Sequence, residues 1–119
     1  MKNKVTTLNE YEGSCLLRQA GIPVIENSLV NDYPEAQKAA GRLGFPVALK
    51  ICSEHVLHKT EKGGVMLNIT DTSGLNKAFG EMKKRFADMP HSLLLQKMAF
   101  PGTELILGAR RDPVFGPVV

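Results

Sequence analysis

The chain has 119 residues, 43% of them hydrophobic and 23% charged, with a net charge of +3, which suffices for one domain with its own core and is ordinary for a globular protein. No apolar run reaches the roughly 20 residues needed to span a bilayer, and no apolar signal core follows the basic start at residues 1–4, so a cytoplasmic location is expected. The positive charge is mild and scattered, and with no Trp, five Phe and two Tyr there is no platform for stacking nucleic-acid bases.

Leu8, Tyr11, Cys15 and Leu16 recur near helical spacing, and Thr7 with Glu10 reads as a T-x-x-E capping box, so residues 8–20 are expected to form a helix. Gly21 ends it and Pro23 prevents its resumption; residues 22–30 are extended. Asp32 caps a second helix, with Pro34 in its first turn and Glu35 three residues after the cap. Ala36, Ala39, Ala40 and Leu43 give that helix a small-residue face suited to close packing on a sheet, and Gly44 ends it. Residues 45–51 are apolar on both faces, as a covered strand would be, except at Lys50. A polar loop follows over 52–63, then a strand over 64–69. Leu75, Ala78, Phe79, Met82 and Phe86 make the clearest helical stripe, which begins after Asp71-Thr72-Ser73 and fades before Pro90. Residues 93–98 and 103–109 read as two strands with Pro101-Gly102 turning between them, and 114–119 as a last extended segment. Helical and strand patterns alternate, which predicts a mixed α/β fold. Cys15 and Cys52 have neither disulfide-framework nor zinc spacing and read as reduced thiols packed as small apolar residues.

The stretch from Leu49 to Val65 concentrates the chemistry. Lys50 interrupts a buried strand, a loop with His55, His58 and Lys59 follows, and Gly63-Gly64 leads into the next strand. Phosphate binding needs this material: glycines that let backbone N–H groups approach the oxygens, and a cation to offset their charge. The same residues also read as a plain turn and as a lysine reaching for water, and neither G-x-x-x-x-G-K-[ST] nor G-x-G-x-x-G is present. From the residues alone both readings stay open. His55 and His58 stand three apart without a third ligand nearby, a poor metal site.

The string Pro46-Val47-Ala48-Leu49-Lys50-Ile51, followed by Leu57-His58-Lys59-Thr60-Glu61-Lys62-Gly63-Gly64-Val65, resembles the ATP-grasp domain of ADP-forming acetyl-CoA synthetases, in their beta subunit. Pro101-Gly102-Thr103-Glu104-Leu105-Ile106-Leu107-Gly108, Arg111-Asp112-Pro113 and Phe115-Gly116-Pro117-Val118 fit the same family, as do Leu8-Asn9-Glu10-Tyr11-Glu12 and Gly21-Ile22-Pro23-Val24. The resemblance runs in order over nearly the whole chain. It implies an α/β ATP-grasp fold, a mixed or antiparallel sheet with flanking helices, with residues 1–119 as the N-terminal part of a single domain whose C-terminal metal-binding part is missing.

The resemblance further implies the nucleotide-binding segment of an enzyme that converts acyl-CoA, ADP and phosphate into acid, CoA and ATP, or the reverse, through phosphohistidine. It places His58 as the phosphate relay and Lys50 on the nucleotide phosphates. It gives Lys59, Gly63 and Gly64 to the phosphate-covering segment, and Gln96, Lys97 and Met98 to the hinge strand beside adenine. Glu104 falls on the acid of a P-G-x-E-L motif that contacts nucleotide or holds the site together. Implied cofactors are ATP or ADP and Mg²⁺, the magnesium ligands lying outside this chain. The implied partner is a CoA-binding, alpha-type subunit or domain, and the chain alone is expected to be a very poor catalyst. Two other readings share the motifs: a non-catalytic nucleotide-binding remnant, and the ATP-grasp segment of a protein acetyltransferase. An unprotonated imidazole is a competent phosphoryl acceptor, and a phosphoryl group in transfer needs cations such as Lys50 and Lys59 around it. Strand alternation puts Ala48 with Lys50, and Glu104 with Ile106 and Gly108. Arg110-Arg111-Asp112 reads either as a phosphate contact or as an ion-paired strand end, the latter slightly favoured.

Overall fold

The two strands with the longest buried apolar runs take the centre of the sheet. The computed structural model describes residues 8–53, 62–89 and 91–119. Within these the elements run α1 (Glu10–Gln19), β1 (Asn27–Val30), α2 (Tyr33–Leu43), β2 (Val47–Cys52), β3 (Val65–Ile69), α3 (Thr72–Arg85), β4 (Ser92–Lys97), β5 (Arg110–Asp112) and β6 (Gly116–Val118). The first four strands form one antiparallel sheet in the order β1-β4-β2-β3. The central pair, β2 and β4, carries Val47, Leu49, Ile51 and Leu93-Leu94-Leu95, all fully buried, whereas the edge strand β3 is half-exposed. Strands covered on both sides need continuous apolar runs, and strands at an edge do not.

The register sorts these side chains. Val47, Leu49 and Ile51 lie opposite Lys97, Leu95 and Leu93, and Ala48, Lys50 and Cys52 lie opposite Gln96, Leu94 and Ser92. Directly opposed residues share a face, so the first set points one way and the second the other. The first face meets α2 and α3. Ala36, Ala39, Ala40 and Leu43 of α2 and Leu75, Ala78, Phe79, Met82 and Phe86 in and after α3 join Val30, Val47, Leu49, Ile51, Leu93 and Leu95 in one core. Both helical stripes read from the sequence are buried as expected. Their starts are capped, with Asp32 accepting from the Glu35 N–H at 2.8 Å and Asp71 from the Gly74 N–H at 2.7 Å, which satisfies amides that no helical carbonyl can reach.

Helix α1 lies against β1 at the second face, and it departs from expectation twice. Its cap is Asn9, not Thr7. The Asn9 carboxamide accepts from the Glu12 N–H at 2.8 Å, and the Glu12 carboxylate accepts from the Asn9 N–H at 3.2 Å. Asn is at least as strong a cap as Thr, and the shifted box frees Glu10 for another partner; Thr7 itself lies outside the described residues. The helix also does not bury the expected stripe, since Leu8 and Leu16 are exposed and the buried residue is Ser14. The reason is a polar anchor: the Ser14 hydroxyl donates to the Tyr11 carbonyl at 2.8 Å and accepts from Asn27 of β1 at 3.2 Å.

The strand expected over 103–109 is not formed. Leu105, Ile106 and Leu107 are 85–99% exposed, in extended backbone outside any strand. A strand exists only against a neighbour's N–H and C=O groups, and no described segment pairs with this one. Beyond it β5 and β6 pair as a hairpin, Arg110 with Val118 and Asp112 with Gly116. The Phe115 N–H and then the Val114 N–H donate to the Asp112 carboxylate at 2.9 and 2.8 Å, holding its pKa below the ordinary value. Arg110 stands 3.8 Å from Asp112, the ion-paired strand end expected. Cys15 and Cys52 are free thiols, and no helix among the described residues is long and apolar enough to cross a membrane.

Candidate functional site

The face of the sheet away from α2 and α3 carries a cleft of about 870 Å³. Its floor is built by sheet geometry. Ala48 and Lys50 reach it from β2 and Gln96 from β4, because the register places Ala48 opposite Gln96. Small Ala48 leaves the space that a larger residue would fill. The far wall is Lys97, Met98 and the segment from Ala99 to Glu104. One edge is made by Leu67 and Asn68 of β3, where the ladder is irregular. Val47 pairs with Ile69 and Leu49 with Met66, so Leu67 and Asn68 both stand opposite Ala48. Such a bulge re-aims side chains, and Asn68 takes φ 55°, a conformation that Asn tolerates better than other side-chain-bearing residues.

Five of the residues expected to bind nucleotide, Lys50, Gln96, Lys97, Met98 and Glu104, line this one cleft. Lys50 is not turned to bulk solvent: its side chain is 20% exposed, and its ammonium donates to the Glu10 carboxylate at 2.9 Å. The carboxylate that pairs with Lys50 is Glu10 of α1 and not Glu104, which is exposed on the opposite wall. Nothing in the sequence connects residues forty positions apart, and Glu10 is the functional neighbour that sequence reasoning missed. The Met98 N–H is already donated to the Pro46 carbonyl at 3.2 Å, so what Met98 offers the cleft is its side chain.

Gly63 and Gly64 lie outside the lining of the cleft but at the foot of the strand that carries Lys50. The Ile51 N–H donates to the Gly64 carbonyl at 2.7 Å. Gly63 has φ 71°, and its carbonyl accepts from Arg85, in the last turn of α3, at 2.7 Å. A Cβ on Gly63 would stand 2.8 Å from the Arg85 guanidinium. The dihedral favours glycine here, and the guanidinium would have to shift to admit a Cβ. His58 and Lys59 lie outside the described residues.

The described residues do not make a magnesium site of their own: no group of three or more His, Cys, Asp or Glu gathers among them, and a hard divalent cation needs several oxygen donors. They do suit an elongated anion with an apolar head. Lys50 supplies a cation, Gln96 an amide that both donates and accepts, and Leu67, Met98 and Phe100 an apolar surface.

A family described as an ATP-grasp domain matches residues 1–119. The beta subunit of acetate–CoA ligase (ADP-forming) II from Pyrococcus furiosus is 37% identical over 119 residues, covering 96% of this chain and 50% of that one. Among solved structures, the dinucleotide-forming acetyl-coenzyme A synthetase 1 of Candidatus Korarchaeum cryptofilum, in complex with coenzyme A, Ca-AMPCP and HgCl⁺, superposes with a TM-score of 0.85 at 38% identity over 92% of this chain and 50% of that one. The same enzyme with coenzyme A and Mg-AMPPCP, its phosphohistidine segment pointing towards the nucleotide-binding site, gives a TM-score of 0.73 at 38% identity over 91% of this chain and 46% of that one. The chain spans half or less of the length of the curated relatives it matches.

Proposed function

The chain belongs to the ATP-grasp domain family, and from that premise we propose that it is the ATP- or ADP-binding segment of an ADP-forming acyl-CoA ligase of the acetate–CoA ligase type. The observation that carries this reading is the convergence of Lys50 of β2 with Gln96, Met98 and Glu104 on one cleft, from segments that the sequence separates by more than forty positions. In this reading Lys50 neutralises phosphate charge, worth most where water is partly excluded. Gln96, Lys97 and Met98 border the base, and Glu104 faces the nucleotide from the opposite wall. Gly63 and Gly64, with Lys59, belong to the segment that covers the phosphates.

His58 is the relay. Its imidazole takes a phosphoryl group from the phosphohistidine of the alpha-type partner, a new N–P bond forming as the partner's N–P bond breaks and its imidazole leaves. The group then passes to a terminal phosphate oxygen of ADP, an O–P bond forming as the His58 N–P bond breaks, and both rings end neutral; the reverse direction runs the same exchanges backwards. Magnesium, when bound, offsets the charge of the phosphates; its ligands come from outside residues 1–119, as does the CoA-binding partner of alpha type. Relatives in complex with coenzyme A and adenine nucleotide analogues support a role beside both ligands.

The test is a thermal shift of the chain with ADP and ATP against Lys50→Ala. Binding at 100 times Kd stabilises by about 3 kcal/mol, and Lys50→Ala should abolish most of that gain. Equal shifts in parent and variant, or none in the parent, would remove the reading. A companion measurement adds a phosphorylated alpha-type partner and follows radiophosphate onto this chain. An acid-labile, alkali-stable label lost in His58→Asn supports the relay; a label that persists in the variant ends it.

A further inference from the structure

Lys50 occupies an unusual place for a cation: mid-strand, in the centre of the sheet, four-fifths covered. A charge so placed needs a counter-charge, and Glu10 supplies it at 2.9 Å. The two partners differ in exposure. The backbone at Lys50 is held by ladder bonds to β3 on one side and β4 on the other. Glu10 begins α1 and is the more exposed partner, at 35% against 20%. A carboxylate there is stabilised by water and by the positive end of its own helix, so its charge does not depend on Lys50 alone.

We propose that Glu10 is a resident counter-ion that holds the Lys50 ammonium in the empty cleft and gives it up to a phosphate oxygen when nucleotide enters, thereby lowering nucleotide affinity. The inference rests on the reading of Lys50 as a phosphate contact. An ammonium has three donors, yet a carboxylate and a polyphosphate gathered on the same one repel each other. Exchange relieves that repulsion, and the bond to Glu10 is what the phosphate must replace. Glu10 is therefore a positioning residue: it sets where the ammonium waits and how strongly an anion must compete for it.

Isothermal titration of the 119-residue chain with ATP, ADP and adenosine, for the parent and for Glu10→Gln, decides the matter. The variant is expected to bind ATP and ADP roughly three- to tenfold more tightly, the range of a partly covered charged hydrogen bond, with adenosine unchanged. Glu10→Asp, which keeps the charge but withdraws it by one methylene, should move ATP affinity in the same direction by less. If Glu10→Gln binds ATP no more tightly than the parent, the exchange does not occur. An equal gain for adenosine also overturns it, since a looser α1 would act on any ligand. If the parent shows no preference for ATP over adenosine and Lys50→Ala leaves ATP affinity unmoved, the reading of Lys50 itself fails, and the exchange falls with it.

Discussion

Asn68 and Gly63 show how single positions shape this site, because both hold backbone in the left-handed region. At Asn68 the conformation comes from the bulge that turns β3 toward the cleft. Replacing it with glycine should be neutral or slightly stabilising, whereas Asn68→Val should cost about 1–3 kcal/mol in urea unfolding, because a β-branched side chain is poorly accommodated there. At Gly63 two constraints coincide. Arg85 is a flexible side chain and can retreat from a new Cβ, so the dihedral dominates, and Gly63→Ala should cost about 1 kcal/mol. In an Arg85→Ala background the same substitution should still cost nearly that much; if the cost vanishes there, contact with the guanidinium was the cause. At this scale the sequence was legible wherever a residue type announces its own conformation or charge. Lys50 stood out because a cation interrupts an apolar run, and the glycine pair because only glycine is free at positive φ. Glu10 carried no such mark, since one acidic residue in a first helical turn looks like any other until the chain folds.

Among the elements, α2 and α3 follow local rules and are the surest to respond as those rules require. Asp32→Ala removes the cap on the Glu35 N–H and should cost about 1 kcal/mol. Met82→Ala, in a side chain with no exposure, should cost about 2–5 kcal/mol, and unfolding midpoints in denaturant will separate the two. The hairpin β5–β6 depends on the Asp112 carboxylate. Its pKa is lowered from an ordinary 3.8, so its contribution is fully present above that value and is lost as pH falls below it through the depressed folded pKa. The Val114 and Phe115 amides should show rising hydrogen-exchange rates, relative to the intrinsic rate, as pH drops below the carboxylate range; protection that is flat with pH would contradict the bond. Helices and central strands were legible in the sequence because their periodicities and apolar runs are local statements about burial. The strand expected over 103–109 was not, because its apolar alternation states only what a partner would cover. The expected face of α1 failed for a related reason: a buried serine bound to Asn27 outcompeted leucines at helical spacing.

Over the whole molecule, the apolar groups of the C-terminal stretch stand apart from the core. Phe100, Leu105, Ile106, Leu107, Val114 and Phe115 are all more than 80% exposed, well beyond the scattered hydrophobics of an ordinary surface. The isolated chain should self-associate with rising concentration, and Ile106→Asp should reduce that association in sedimentation without changing the unfolding midpoint, since Ile106 is 99% exposed and has little packing to lose. The sheet itself divides the molecule's obligations. Residues 47, 49 and 51 face two helices, while 48 and 50 face the cleft, so neighbouring codons answer to different masters. In a saturation screen, parity along β2 should sort the outcomes: odd positions would deplete under selection for abundance, and even ones would retain abundance while failing under selection for ligand capture. A site laid out this way can be retuned for another ligand one residue at a time, with the scaffold beneath it left untouched.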